Sequence, residues 1–172
     1  TDGSHFERST MYHCILLDRL LTLLGMMNPK EEDYNFLYEL TERMVNFLFT
    51  ITNKGRNYRI LQDTTRASVD IMKHIFFNVS FLSIVPRTIG LEDSGYRILA
   101  TDHFFAVFNL ASAGPDFQPG HQHADLLGFE FDVRGIPVFV NPGISTYEKN
   151  ERRELERSTM HHNTVCIDKM NQ

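Results

Sequence analysis

The chain has 172 residues, of which 42% are hydrophobic and 23% charged, with a net charge of −5. That is an ordinary globular composition, and its acidic balance excludes a general nucleic-acid surface. No apolar run approaches the ~20 residues of a membrane-spanning helix, and the two distant cysteines, Cys14 and Cys166, give neither a disulfide framework nor a zinc-ribbon spacing.

The opening TDGSHFERST carries no methionine and no signal peptide, and the end, VCIDKMNQ, stops just after a strand-like run; both point to a piece of a longer protein. Residues 9–26, STMYHCILLDRLLTLLGM, place Met11, Ile15, Leu16, Leu20, Leu23 and Leu24 at helical spacing, with Ser9 or Thr10 as N-cap and Pro29 at the exit. A second amphipathic run covers 32–52 and stops at Asn53-Lys54-Gly55. Residues 56–63 read as a loop and 65–76 as a shorter third helix.

From about residue 80, Gly, Pro and Asp punctuate short β-type runs: YRILA, FFAVFNLA, LLGFEFDV, IPVFV and NTVCI. Leu127, Phe129, Phe131 and Val133 alternate with polar residues or glycine, Arg134-Gly135 turns the chain, and Ile136, Val138 and Val140 alternate back. This pattern predicts a hairpin with its apolar face buried. Helices first and strands after predict an α+β chain in two modules, with the boundary between 78 and 90.

Candidate chemistry centres on GHQHAD at 120–125. On a strand, His121 and His123 share one face. There they could ligate one metal, divide metal binding from acid–base work, or simply pack. Asp125 would point the same way, and one ring of His161-His162 could join His123. Asn141, in VNPG, reads as a turn residue. Tyr12 falls in the first helical turn, where the helix dipole favours a phenolate suited to base or acid work; the alternative is an ordinary core tyrosine. Arg152, Arg153 and Arg157, interspersed with Glu151, Glu154 and Glu156, read either as a solvated mixed-charge segment or as guanidinium groups that grip a carboxylate. Cupins also carry HxH on a strand, with a glutamate a few residues on; here Glu130 comes too late, which leaves a cupin-like metal enzyme as an alternative only.

Three segments together resemble the heparinase II/III-like polysaccharide lyases, a family that includes related alginate lyases. DGSHFERSTMYH at 2–13 is similar to the family's DG-x-HFE-x-SPMYH helix start. The run from Ser94 to Gly143 contains PGHQHAD and VNPG. RSTMHHNTVCID at 157–168 resembles RST-x-x-HNTV-x-VD. The resemblance implies the last helices of an incomplete (α/α) toroid over 1–80, then the start of an antiparallel β-sandwich over 81–172, with the active cleft between them. It implies β-elimination on an acidic, uronate-containing glycan, with Tyr12 and His121 catalytic, Arg153 and Arg157 on substrate, and no organic cofactor. The family residue that neutralises the substrate carboxylate lies on an earlier helix, outside this chain. His123 and His162 match ligands of a structural zinc, and Asn141 stands where the third ligand is usually aspartate. Thr10 replaces the usual proline at the helix start. The resemblance also implies a bacterial periplasmic or secreted setting. The departure at Asn141 keeps open a glycan-binding protein of the same fold without activity.

Overall fold

The protein is described by a computed structural model, which covers residues 2–79, 91–112, 117 and 119–172. The expected boundary between modules, near residue 80, lies outside the described residues.

Three helices come first. α1 (Thr10–Met26) is capped by Ser9, whose side-chain oxygen accepts from the Tyr12 amide. α2 (Tyr34–Ile51) and α3 (Val69–Asn78) both pack on α1. Four antiparallel strands follow in sequential order: β1 (Tyr96–Ala100), β2 (Phe104–Asn109), β3 (Phe129–Val133) and β4 (Ile136–Phe139). A short helix, α4 (Glu151–Glu156), is capped by Asn150, whose side chain accepts from the Arg153 amide. The segment read as a solvated charge run is thus an ordered, capped helix.

One core joins the two layers. Cys14 and Leu17 of α1, Val45, Leu48 and Ile51 of α2, and Ile75 of α3 pack with Tyr96, Ile98, Phe105 and Val107 of the sheet. The strap before α1 is tied down at its start. Asp2 accepts from the backbone and hydroxyl of Ser94, both at 2.8 Å. Gly3, with φ +92°, passes so close to α2 that a β-carbon would lie 2.2 Å from the Arg43 carbonyl oxygen.

Three expectations are corrected. First, the hairpin of β3 and β4 buries its polar face: Glu130 and Asp132 point inward, whereas Phe129 and Phe131 are only half-buried and β4 is exposed throughout. The cause is Arg59, in the loop between α2 and α3. Its guanidinium is buried, donates to both Asp132 oxygens at 2.9 and 2.5 Å, and lies 3.5 Å from Glu130. Second, NTVCI forms no ladder. Val165 and Ile167 are exposed. Asn163 instead bonds across to Phe129 by its backbone oxygen and its side-chain amide, at 3.2 Å each. β-branched residues make a strand only where a neighbour supplies the ladder. Third, HQH is not strand. His121 closes a 3₁₀ turn (Pro119–His121) and β3 begins only at Phe129.

Candidate active site

Because HQH lies in a turn and loop, the two imidazoles diverge. His121 turns to the helical layer. Its ring stacks on Tyr12 with centroids 4.6 Å apart and planes 17° off parallel, and its Nδ1 lies 2.9 Å from a carboxylate oxygen of Glu7. Tyr12 is aimed by the capped first turn of α1, and its hydroxyl donates to the Tyr147 hydroxyl at 3.0 Å. Tyr147 meets the His121 ring edge-on at 6.3 Å. Its ionisation is pushed up by burial and by its hydrogen bond with Tyr12. The phenol and imidazole singled out in sequence are therefore in contact, 109 residues apart in the chain, one from each layer.

His121 and Tyr147 line a cleft of about 730 Å³ together with Gln122, Lys149, Arg153 and Arg157. Arg153 is largely occupied. It donates to Asp63 at 2.7 Å and to the Thr146 carbonyl at 3.0 Å, and its guanidinium lies over the Tyr147 ring at 5.0 Å. Arg157 directs Nε and Nη2 to the Gln122 carbonyl, at 2.9 and 2.6 Å, which fixes the backbone between the two histidines. Lys149, Glu7, Asp63 and Tyr147 were not singled out from the sequence. ISTYEKN gives a tyrosine and a lysine no periodic context, and Glu7 and Asp63 gain their meaning only from histidines far along the chain.

His123 turns the other way, into the interior. Its Nε2 donates to Asp63 at 2.8 Å, which leaves Nδ1 buried without a hydrogen-bond partner. His162 donates from Nδ1 to the Asn141 side-chain oxygen at 3.1 Å, which leaves its Nε2 buried and without a partner. The two rings lie 5.1 Å apart. Burial and the neighbouring His123 depress the His162 pKa to about 3, so the ring is neutral and its Nε2 carries a lone pair. Burial raises the Asp63 carboxyl, but hydrogen bonds from His123 and Arg153 outweigh that and hold it below the usual carboxylate range. Asp125 is committed elsewhere, accepting from Gln62 and Asn109 at 3.0 Å each. Among the described residues no group of three His, Cys, Asp or Glu side chains could hold a metal.

These features define an α+β unit whose candidate site brings Tyr12 of α1 against His121 of the turn that precedes β3. The chain belongs to the heparinase II/III-like family: residues 85–172 match its C-terminal domain. No curated protein matches the chain. Its fold is similar to that of a heparan sulfate lyase HepC mutant from Pedobacter heparinus, with a TM-score of 0.75 at 21% identity over 99% of this chain and 31% of that one. It is also similar to a heparinase III, the BT4657 gene product, with a TM-score of 0.74 at 20% identity over 99% of this chain and 31% of that one. A further heparinase III structure gives 0.70 at 18% identity over 99% and 33% of the two chains. The chain thus spans about a third of the length of those structures. No helix among the described residues is long and apolar enough to cross a membrane.

Proposed function

We propose that this chain is part of a polysaccharide lyase that cleaves a uronate-containing glycan by β-elimination. The observation that carries the reading is the stack of Tyr12 on His121, the imidazole that lines the cleft. Elimination removes the proton at C5 of the uronate, forms the C4–C5 double bond and expels O4, which must be protonated. It needs a base, an acid, and a cation or donor to stabilise the enediolate. Tyr12 and His121 supply the acid–base pair. Lys149 and Arg157 at the cleft give an acidic chain its counter-charge, while Arg153 is held by Asp63 and shapes the wall. The group that neutralises the substrate carboxylate is assigned to a helix beyond these residues.

The test uses the full-length protein on heparan-type, alginate and other uronate glycans, followed by ultraviolet absorbance of the unsaturated product. Tyr12→Phe should abolish the signal with the fold intact; full activity in that variant would sink the assignment. Retention of glycan with no product in the wild type would favour a binding protein of the same fold.

The same reading gives His123 and His162 to a structural zinc, supported by their two unpartnered buried nitrogens, and zinc supplies no step of the reaction. Asn141 is placed to orient His162 through Nδ1, on the opposite side of the ring from the free Nε2. Structural zinc is held by four ligands, so two histidines with an amide in the outer shell bind weakly. Metal analysis of the full-length protein should find zinc below one per chain, rising in Asn141→Asp. Zinc content unchanged by Asn141→Asp and lost in neither His123→Ala nor His162→Ala would remove this assignment.

A further inference from the structure

Glu7 has no part in the chemistry above, yet it is the carboxylate against the candidate catalytic imidazole. We propose that Glu7 is the positioning residue for His121: it takes the Nδ1 proton in a hydrogen bond and so leaves the Nε2 lone pair for the cleft. An ionised carboxylate can only accept. Held 2.9 Å from Nδ1, it fixes the neutral ring as the Nδ1–H tautomer, and the remaining nitrogen becomes the acceptor. Tyr12, stacked on one face, sets the ring plane. Among the described residues nothing else competes for the carboxylate. His5 Nδ1, 3.8 Å from the other Glu7 oxygen, accepts the Glu7 amide and carries no proton to donate there.

The chain is built to hold Glu7 in place. The residue is 7% exposed, although it belongs to a strap with no regular structure. Its neighbour Arg8 adopts φ +58°, a left-handed conformation that non-glycine residues avoid and that persists only where the surroundings enforce it. Those surroundings are visible. The buried Tyr96 donates its hydroxyl to the Arg8 carbonyl at 2.9 Å, and the Arg8 guanidinium reaches the Ser112 carbonyl at 2.6 Å. On the other side Ser9 is locked as the cap of α1 and donates to the Asp63 carbonyl at 2.8 Å. The bend at Arg8 turns the Glu7 side chain toward the sheet module while Tyr12 follows from the helix, so one short segment delivers both partners of His121.

For its kinetic consequence the proposal rests on the lyase reading; the tautomer does not. The experiment takes full-length protein labelled with ¹⁵N at histidine, as wild type, Glu7→Gln and Glu7→Ala. In the wild type the His121 signals should report a proton on Nδ1. Glu7→Gln, whose amide oxygen still accepts, should keep that tautomer, and Glu7→Ala should lose it. On a uronate glycan, kcat in Glu7→Ala should fall by roughly tenfold to a hundredfold or more with KM within about twofold, and Glu7→Gln should lie between, as for other carboxylates that orient a histidine. A wild-type His121 protonated on Nε2, or a folded Glu7→Ala with unchanged tautomer and kcat, would overturn the proposal. Should Glu7→Ala fail to fold, the wild-type tautomer and the Glu7→Gln rate still decide. A wild type that gives the Nδ1–H tautomer but no unsaturated product would remove the lyase reading and leave the positioning of His121 standing.

Discussion

A phenol that gives up its proton needs a donor ready to meet the anion, and on the proposed lyase reading Tyr147 is the donor nearest Tyr12. The two hydroxyls lie 3.0 Å apart. Tyr147 has its pKa pushed up by burial and by the bond to Tyr12. Its position is set by the Arg153 guanidinium over its ring, and Arg153 is in turn fixed by Asp63. On the proposed lyase reading, with Tyr12 as base, a protonated Tyr147 would turn its O–H to the phenolate. A hydrogen bond to a charged group contributes ~1.5–3 kcal/mol. Tyr147→Phe should therefore lower kcat of the full-length enzyme by about tenfold to a hundredfold with little change in KM. An equal loss in KM would instead make Tyr147 a substrate contact. The site also shows that position along the chain did not predict grouping: His121 and His123 are two residues apart and serve opposite sides of the same loop.

At the scale of elements, the start of α1 was legible because its signal is local: Ser9 caps it through its own side chain. The first two strands match YRILA and the front of FFAVFNLA, whereas α4 and its Asn150 cap were hidden in a short run of charges. The face of β3 was not legible. Alternation fixes which residues share a face, but it does not say which face goes inward. That choice was made by Arg59, eight residues after the end of α2 and far from β3 in sequence. Asn57 adds a bond to Asp132 at 2.8 Å, and Glu130 accepts from the Ile60 amide at 2.8 Å. The polar side chains thus tie the α2–α3 loop to the sheet. Removing only the cation leaves two buried carboxylates without compensation. Arg59→Met should lower stability by roughly 3–5 kcal/mol. Replacing the whole network, as Arg59→Met/Glu130→Gln/Asp132→Leu, should recover most of that loss, because Gln keeps the acceptor for Ile60 and Leu adds apolar contact. Urea midpoints of the three proteins check this; a triple variant no better than the single would show that the network also sets the register of β3.

At the scale of the whole molecule, the helical and sheet layers are not independent bodies that happen to touch. They share one apolar core, and they are pinned by the Glu7–His121, Arg59–Asp132 and Asp63–His123 pairs. The outward face of the sheet is the contrary case. Phe104, Phe108, Phe129, Phe131 and Phe139 make a chain of ring contacts at 5.5–6.4 Å while remaining partly exposed. In a β-sandwich this kind of face is the one covered by the second sheet. The junction of the layers also has a pH signature. His13, fully buried, donates from Nε2 to the Met44 carbonyl at 3.0 Å and accepts the His5 amide at Nδ1, so both nitrogens are satisfied only when the ring is neutral. Burial, opposed by the Met44 carbonyl, depresses its pKa from 6.5 to about 4. Between those values the unfolded chain binds a proton that the folded chain does not. Stability therefore rises with pH through that window and falls on acidification, by about 3 kcal/mol for this one group. Carboxylates held below their ordinary range, such as Asp2 and Asp63, add their own loss only lower still, as pH falls through their depressed values. His162, depressed further to about 3, acts in the same direction, while the buried Asp125 and Glu130, whose carboxyls are raised, act against it; urea midpoints measured between pH 7 and pH 4 should decline as the two histidines outweigh them. His13→Gln keeps a donor for Met44 but cannot titrate, and should make that decline shallower by the share of His13, leaving that of His162; parallel curves for the two proteins would mean that His13 accepts a proton within the fold.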